Sequence, residues 1–140
     1  MIYVDSSLIV SIYIADVHSP EADRRIAGRQ GFWLTPLHRT EFVHAVEQSV
    51  FRKRISAADA RRINEEFEED RRNGVWTDVN LPEATMESSI RLARSYVASI
   101  GSRTIDTIHV ASALELKAAQ FWTFDDRQAK LAKAVGLKVS

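Results

Sequence analysis

The sequence predicts an α/β protein, a three-layer α/β/α sandwich with a short central parallel sheet. Three observations carry that expectation. Short runs of β-formers ("IYVD", "FWL", "VWTDV", "FWTF") alternate with longer helix-patterned stretches, with no linker, repeat or low-complexity tract between them. Helix start and stop signals fall between those runs, so each strand feeds a helical crossover and the strands run parallel. One segment, "TIDTIHVASALELKAA", is apolar on nearly every side and rich in small residues, as a helix packed inside the molecule is. At 140 residues the chain suits a single domain spanning 1–140, with one sizeable core.

The first strand is read at Ile2 to Asp5, followed by a helix at Leu8 to Ala15 capped by Ser6 or Ser7. Ser19 then serves as an N-cap with Pro20 at the first helical position, and Gly28 closes that short helix. Phe32 to Leu34 form a second strand. Thr35 and Pro36 repeat the cap-plus-proline signal and open a helix to about Arg54, with Phe42, Val43, Val46 and Val50 on one face. Ser56 with Asp59 is a capping box for a helix that stops at Gly74. Val75 to Val79 make the third strand. Met86, Ile90, Ala93, Val97 and Ile100 recur as one helical stripe ended by Gly101. The inner helix follows, then Phe121 to Phe124 as the fourth strand, a helix from Asp125 to Val135, and "LKVS" as an edge strand.

Charge and composition exclude several function classes. Nineteen basic and nineteen acidic side chains cancel, so no global field attracts nucleic acid or membrane. Cysteine is absent, which removes disulfide frameworks and cysteine zinc sites. The chain opens on a strand without a signal-peptide pattern and has no 18-residue apolar run, which predicts a soluble cytoplasmic protein with no membrane partner.

Acids stand where such a fold does its chemistry. Ligands of open α/β sheets bind beyond the carboxyl ends of the strands. Asp5 and Asp125 leave two hydrophobic strands at that edge, Glu41 lies one to two turns into the helix after the second strand, and Asp106 lies in the first turn of the inner helix. Taken singly, each has a structural reading as a cap, a dipole partner or a solvated acid. Taken together, the four are expected to converge on one mouth. Bare carboxylates about 4 Å apart repel by about 4 kcal/mol at an effective dielectric of 20, so a cation is needed. All-oxygen ligation selects Mg²⁺ or Mn²⁺, which lower the pKa of a bound water and stabilise in-line attack on a phosphodiester.

"DSS" after the first strand, "TE" at Thr40–Glu41, "IDTIHVASAL" and "TFDDR" resemble the four acidic motifs of PIN-domain ribonucleases in order and spacing, across essentially the whole chain. In size the chain is similar to the VapC toxins of prokaryotic toxin–antitoxin pairs. The resemblance implies Mg²⁺- or Mn²⁺-dependent endonucleolytic cleavage of RNA, a homodimer, and inhibition by a cognate antitoxin protein. It assigns Asp5, Glu41, Asp106 and Asp125 as catalytic metal-holding acids, with Ser7 as a supporting hydroxyl. "TFDDR" holds a second acid, Asp126; Asp125 is favoured because it stands two residues after Thr123.

The other polar residues are secondary. His18, His38, His44 and His109 include no i, i+4 pair on one helix and so argue against zinc, with His109 one turn after Asp106 able to touch the site or simply to pack. Trp33, Trp76 and Trp122 lie in strands and are assigned to the core. Arg39, Arg103 and Arg127 lie within three residues of Glu41, Asp106 and Asp125 and are candidates for contacting RNA phosphate. Two rivals remain: an aspartyl-phosphate phosphatase, which commonly carries D-x-D where this chain has Ser7, and a non-catalytic interaction domain that keeps only the fold.

Overall fold

The computed structural model describes all 140 residues, Met1–Ser140. The elements are a mixed set of helices and four short strands, and the strands form a parallel sheet in the order β3-β2-β1-β4. Here β1 is Ile2–Val4, β2 Phe32–Leu34, β3 Trp76–Asp78 and β4 Gln120–Trp122. By internal packing the chain divides into two compact units, Met1–Asp5 with Asn80–Ser140, and Ser6–Val79.

In the first unit, β1 and β4 pair in parallel with Val4 opposite Trp122, so the two strands end level. Tyr3, Val4, Phe121 and Trp122 are buried, and the Tyr3 and Phe121 rings stack 5.6 Å apart. Helix α7, Thr104–Glu115, is the inner helix the sequence predicts, with Asp106, Thr107, His109 and Val110 to Ala113 all buried. The predicted edge strand "LKVS" is reduced to one parallel bridge, Phe121 to Val139.

The stripe at Met86 to Ile100 departs from expectation. It is split among α5 (Thr85–Leu92), a π-helical turn at Ala93–Val97 and the short α6 (Ala98–Ile100). The wider π turn interrupts the regular α-helical spacing within the stripe. Thr85, Ser88 and Ser89 are buried, while Met86 and Ile90 are 52% and 43% exposed. The physical reason lies in what α5 packs on: it meets α7 through small hydroxylated residues, and Ser88 donates a hydrogen bond to Glu115. Periodicity identified an apolar face without identifying what covers it.

In the second unit, α1 (Ser6–Tyr13), α2 (Ser19–Ile26), α3 (Pro36–Phe51) and α4 (Ala57–Arg72) accompany the parallel pair β2 and β3. Its core is aromatic: Phe42 and Phe67 stack at 4.1 Å, and Tyr13 meets both edge-on at 5.3 and 5.5 Å. Trp76 Nε1 donates to the Tyr13 hydroxyl at 2.8 Å, which donates in turn to Asp70 Oδ2 at 2.5 Å. Burial, and then the Asp70 carboxylate, push the Tyr13 pKa far above its usual value, so this hydroxyl is a permanent donor.

The caps at Thr35 and Ser56 form as the sequence predicts, each reciprocated, Thr35 by His38 and Ser56 by Asp59. Two other predicted caps are corrected. Ser6 and Ser7 are the first residues inside α1, which starts directly after Asp5, two residues before the predicted Leu8. Ser19 likewise lies inside α2, whose opening N–H groups at His18 and Ser19 are satisfied by Asp16 Oδ1 at 2.7 and 3.0 Å.

Candidate active site

Asp5 follows the last residue of β1, and Thr123 follows the last residue of β4. The register that sets Val4 against Trp122 makes them neighbours at the carboxyl ends of the strands. Asp5 N–H donates to Trp122 O at 2.9 Å, and the Thr123 hydroxyl donates to Asp5 Oδ2 at 2.6 Å. The same hydroxyl accepts from Asp125 N–H at 2.9 Å, while Asp125 Oδ1 accepts from Gln128 N–H at 2.8 Å and caps α8, Asp126–Ala134. One buried hydroxyl thereby ties two of the predicted site acids together. Asp126 is exposed in the first turn of α8 and outside this chain of bonds, so the acid joined to Asp5 is Asp125.

Asp106, in the first turn of α7, is only 5% exposed. It accepts from Arg103 three times, from the backbone N–H at 3.2 Å, Nε at 2.9 Å and Nη2 at 3.3 Å. Arg103 thus engages a site acid directly. Arg127, a second phosphate candidate, is exposed and donates to Gly101 O at 3.3 Å. His109 is buried, with Nδ1 2.9 Å from the Tyr3 hydroxyl, which makes it a packed core histidine.

In the other unit Glu41 is half-buried in α3, and its Oε2 accepts from the Ser6 hydroxyl at 2.5 Å. The hydroxyl the sequence singles out, Ser7, lies on an exposed position of α1, and its carbonyl accepts from Ser11 Oγ at 3.0 Å. Arg39 is exposed on α3. Among the tryptophans, Trp76 and Trp122 are core and Trp33 is half-buried.

No three Asp, Glu or His side chains are gathered as a ready-made metal cage. Donor chemistry tests which ion suits the acids. Asp5 and Asp106 are buried carboxylates, Asp5 receiving the Thr123 hydroxyl and Asp106 the Arg103 guanidinium, and each presents carboxylate oxygens as donors to an ion. Hard oxygen donors of this kind fit Mg²⁺ or Mn²⁺, which are commonly held by one or two carboxylates with water and substrate phosphate completing the shell.

The sequence pattern of the PIN domain matches residues 2–134. The chain belongs to the PIN domain family. In structure this PIN chain is similar to VapC20 of Mycobacterium tuberculosis, described as a Sarcin-Ricin loop cleaving toxin, with a TM-score of 0.72 at 14% identity over 98% of this chain and 96% of that one. FitAcB from Neisseria gonorrhoeae gives 0.74 at 14% identity over 99% and 96%. VapBC2 from Rickettsia felis, bound to a DNA fragment from its promoter, gives 0.68 at 12% identity over 100% and 98%. At these identities the likeness concerns the fold. No curated protein matches the sequence.

Proposed function

We propose that this PIN domain is a Mg²⁺- or Mn²⁺-dependent endoribonuclease and the toxin of a toxin–antitoxin pair. In this reading residues 1–140 act as one domain, and Asp5, Glu41, Asp106 and Asp125 hold the ion. The observation that carries it is the Asp5–Thr123–Asp125 linkage at the carboxyl ends of β1 and β4, in a chain matched by the PIN pattern over 2–134. The Thr123 hydroxyl orients the Asp5 carboxylate and holds the Asp125 backbone beside it, while Gln128 N–H holds the Asp125 carboxylate, an arrangement that gives a cation a preorganised seat.

The ion, when bound, offsets the carboxylate charge, lowers the pKa of attacking water and neutralises charge on the phosphodiester. The chain's own residues hold the geometry. Thr123 orients Asp5, Ser6 orients Glu41, and Arg103 balances Asp106 and is positioned to exchange that carboxylate for an RNA phosphate. Arg39 and Arg127 supply further guanidinium contacts to the RNA backbone.

Partners follow from the relatives. FitAcB, VapBC2 and the toxin–antitoxin complex from Klebsiella pneumoniae support a cognate antitoxin here. The exposed apolar Met86 and Ile90 on α5 support a homodimer, in which a second copy would cover them. No helix is long and apolar enough to cross a membrane. The test is incubation of purified protein with total RNA in Mg²⁺, in Mn²⁺ and in chelator. Cleavage confined to the samples with ion is the expected outcome, and undiminished cleavage in chelator refutes the reading.

A further inference from the structure

A cavity of about 390 Å³ lies between α1 and α3, walled by Val10 and Ile14 on one side and by Ala45, Gln48 and Arg52 on the other, with Arg54 at its end. Its position follows from helical spacing. Glu41, Ala45 and Gln48 recur at i, i+4 and i+7 on one face of α3, with Arg52 its C-cap at i+11, and Ser6 and Val10 recur at i and i+4 along α1, with Ile14 just past its end. The Ser6–Glu41 hydrogen bond therefore sits one helical turn before the cavity-lining Val10 and Ala45.

The far end is cationic. Arg52 and Arg54 are exposed and form no ion pair, unlike Arg24, Arg25, Arg62 and Arg71 of the same unit. The turn that delivers them is specific: Lys53 takes a left-handed backbone at φ 57, and Arg54 N–H closes on Ser49 O at 2.9 Å, which holds Arg52 and Arg54 on the cavity. The acid on the rim, Asp16, is already engaged by Ser11 Oγ and the N–H groups of His18 and Ser19.

We infer that the α1/α3 groove is a subsite for the single-stranded RNA flanking the cleavage point, with Arg52 and Arg54 each holding a backbone phosphate. The inference rests on the nuclease reading and extends it to a substrate-length requirement. Eleven residues of helix separate Glu41 from Arg52, about 16 Å at 1.5 Å per residue. That span corresponds to about five stacked nucleotides at about 3.4 Å each. A trinucleotide cannot reach both ends; a strand of roughly ten nucleotides can.

The experiment compares the parent with the Arg52→Gln/Arg54→Gln double variant, whose exposed, unpaired side chains leave the thermal melt unchanged. Binding of a fluorescent decanucleotide RNA is followed by anisotropy in chelator across a salt series, and cleavage of decanucleotide and trinucleotide is followed in Mn²⁺. The variant is expected to lose about 1.4 from the salt slope, two phosphate contacts at about 0.7 each for a single strand, and its preference for the longer substrate is expected to fall about tenfold. Parental slope and parental length preference in the variant overturn the inference while leaving the nuclease reading intact. A parent that binds RNA without cutting it, with the slope change present, sinks the nuclease reading and keeps the groove. Loss of affinity for a polyglutamate peptide with parental RNA binding would assign the groove to an acidic protein segment and overturn the inference.

Discussion

Replacing Thr123 by Val removes one hydroxyl and breaks both of its bonds, the donation to Asp5 Oδ2 at 2.6 Å and the acceptance from Asp125 N–H at 2.9 Å. Thr123 and Asp5 are buried, with Asp5 only 4% exposed, so water does not readily replace the lost donor. A hydrogen bond to a charged group is worth about 1.5–3 kcal/mol, and the second, neutral bond adds about 1. The expected loss is therefore roughly 2–4 kcal/mol. For a chain of this length 1 kcal/mol moves Tm by about 3–4 °C, so Thr123→Val is expected to melt roughly 7–14 °C below the parent. Thr123→Ser keeps the hydroxyl and is expected to lose less than about 1 kcal/mol. The assay is thermal denaturation by circular dichroism in chelator, completed by a cycle with Asp5→Asn. Equal melting of the Val and Ser variants, or strict additivity of Thr123→Val with Asp5→Asn, would refute the linkage.

The other pairings give their own tests. Arg103→Gln removes two guanidinium bonds to Asp106 but leaves the backbone N–H; because Arg103 is 71% exposed, solvent screening keeps the cost near 1 kcal/mol in chelator, measured by denaturant unfolding. The Asp16 carboxyl is held below its usual 3.8: burial acts to raise it, but the Ser11 hydroxyl and the N–H groups of His18 and Ser19 outweigh burial. A depressed folded pKa gives stability that is fully present above 3.8 and lost as pH falls through the lower folded value. Asp16→Ala should accordingly cost about 0.5–2 kcal/mol at neutral pH and progressively less in acid, read from unfolding curves over that range. Ile90→Glu, on the exposed face of α5, is expected to shift the protein toward monomer in sedimentation velocity, with the melt of the isolated chain little changed.

Much of this fold was legible because its signals are local. The four strands are short β-former runs bounded by helix starts, and Thr35 with His38 and Ser56 with Asp59 complete their caps within three residues. Asp5 follows β1 directly, as that reading expects, whereas β4 ends at Trp122 and leaves Asp125 as the N-cap of α8. What escaped depends on groups distant in the chain or on helix phase. Thr123 meets Asp5 across 118 residues, and nothing near either one announces the bond. The Ser6 hydroxyl meets Glu41 across 35 residues, from the first residue of α1. Asp16 caps α2 from outside it, displacing Ser19 from that role. Arg103 three residues before Asp106 was readable as a helix-start pair, although a phosphate role competed for the same side chain.

The measurement that bears most directly on the central claim is the stabilisation of parent, Asp5→Asn and Asp106→Asn by added Mn²⁺, from thermal melts with and without the ion. In chelator both variants are expected to lose stability, since Asp5 receives the Thr123 hydroxyl and Asp106 the Arg103 guanidinium. The ion response is what separates a site from a scaffold. A ligand that binds only the folded state adds RT ln(1 + [L]/Kd), about 2.7 kcal/mol at a hundredfold excess over Kd. The parent is expected to gain about that much, roughly 9 °C at this chain length, and both variants to gain little. Equal gains in all three proteins would contradict the assignment of these acids to a metal-dependent nuclease site.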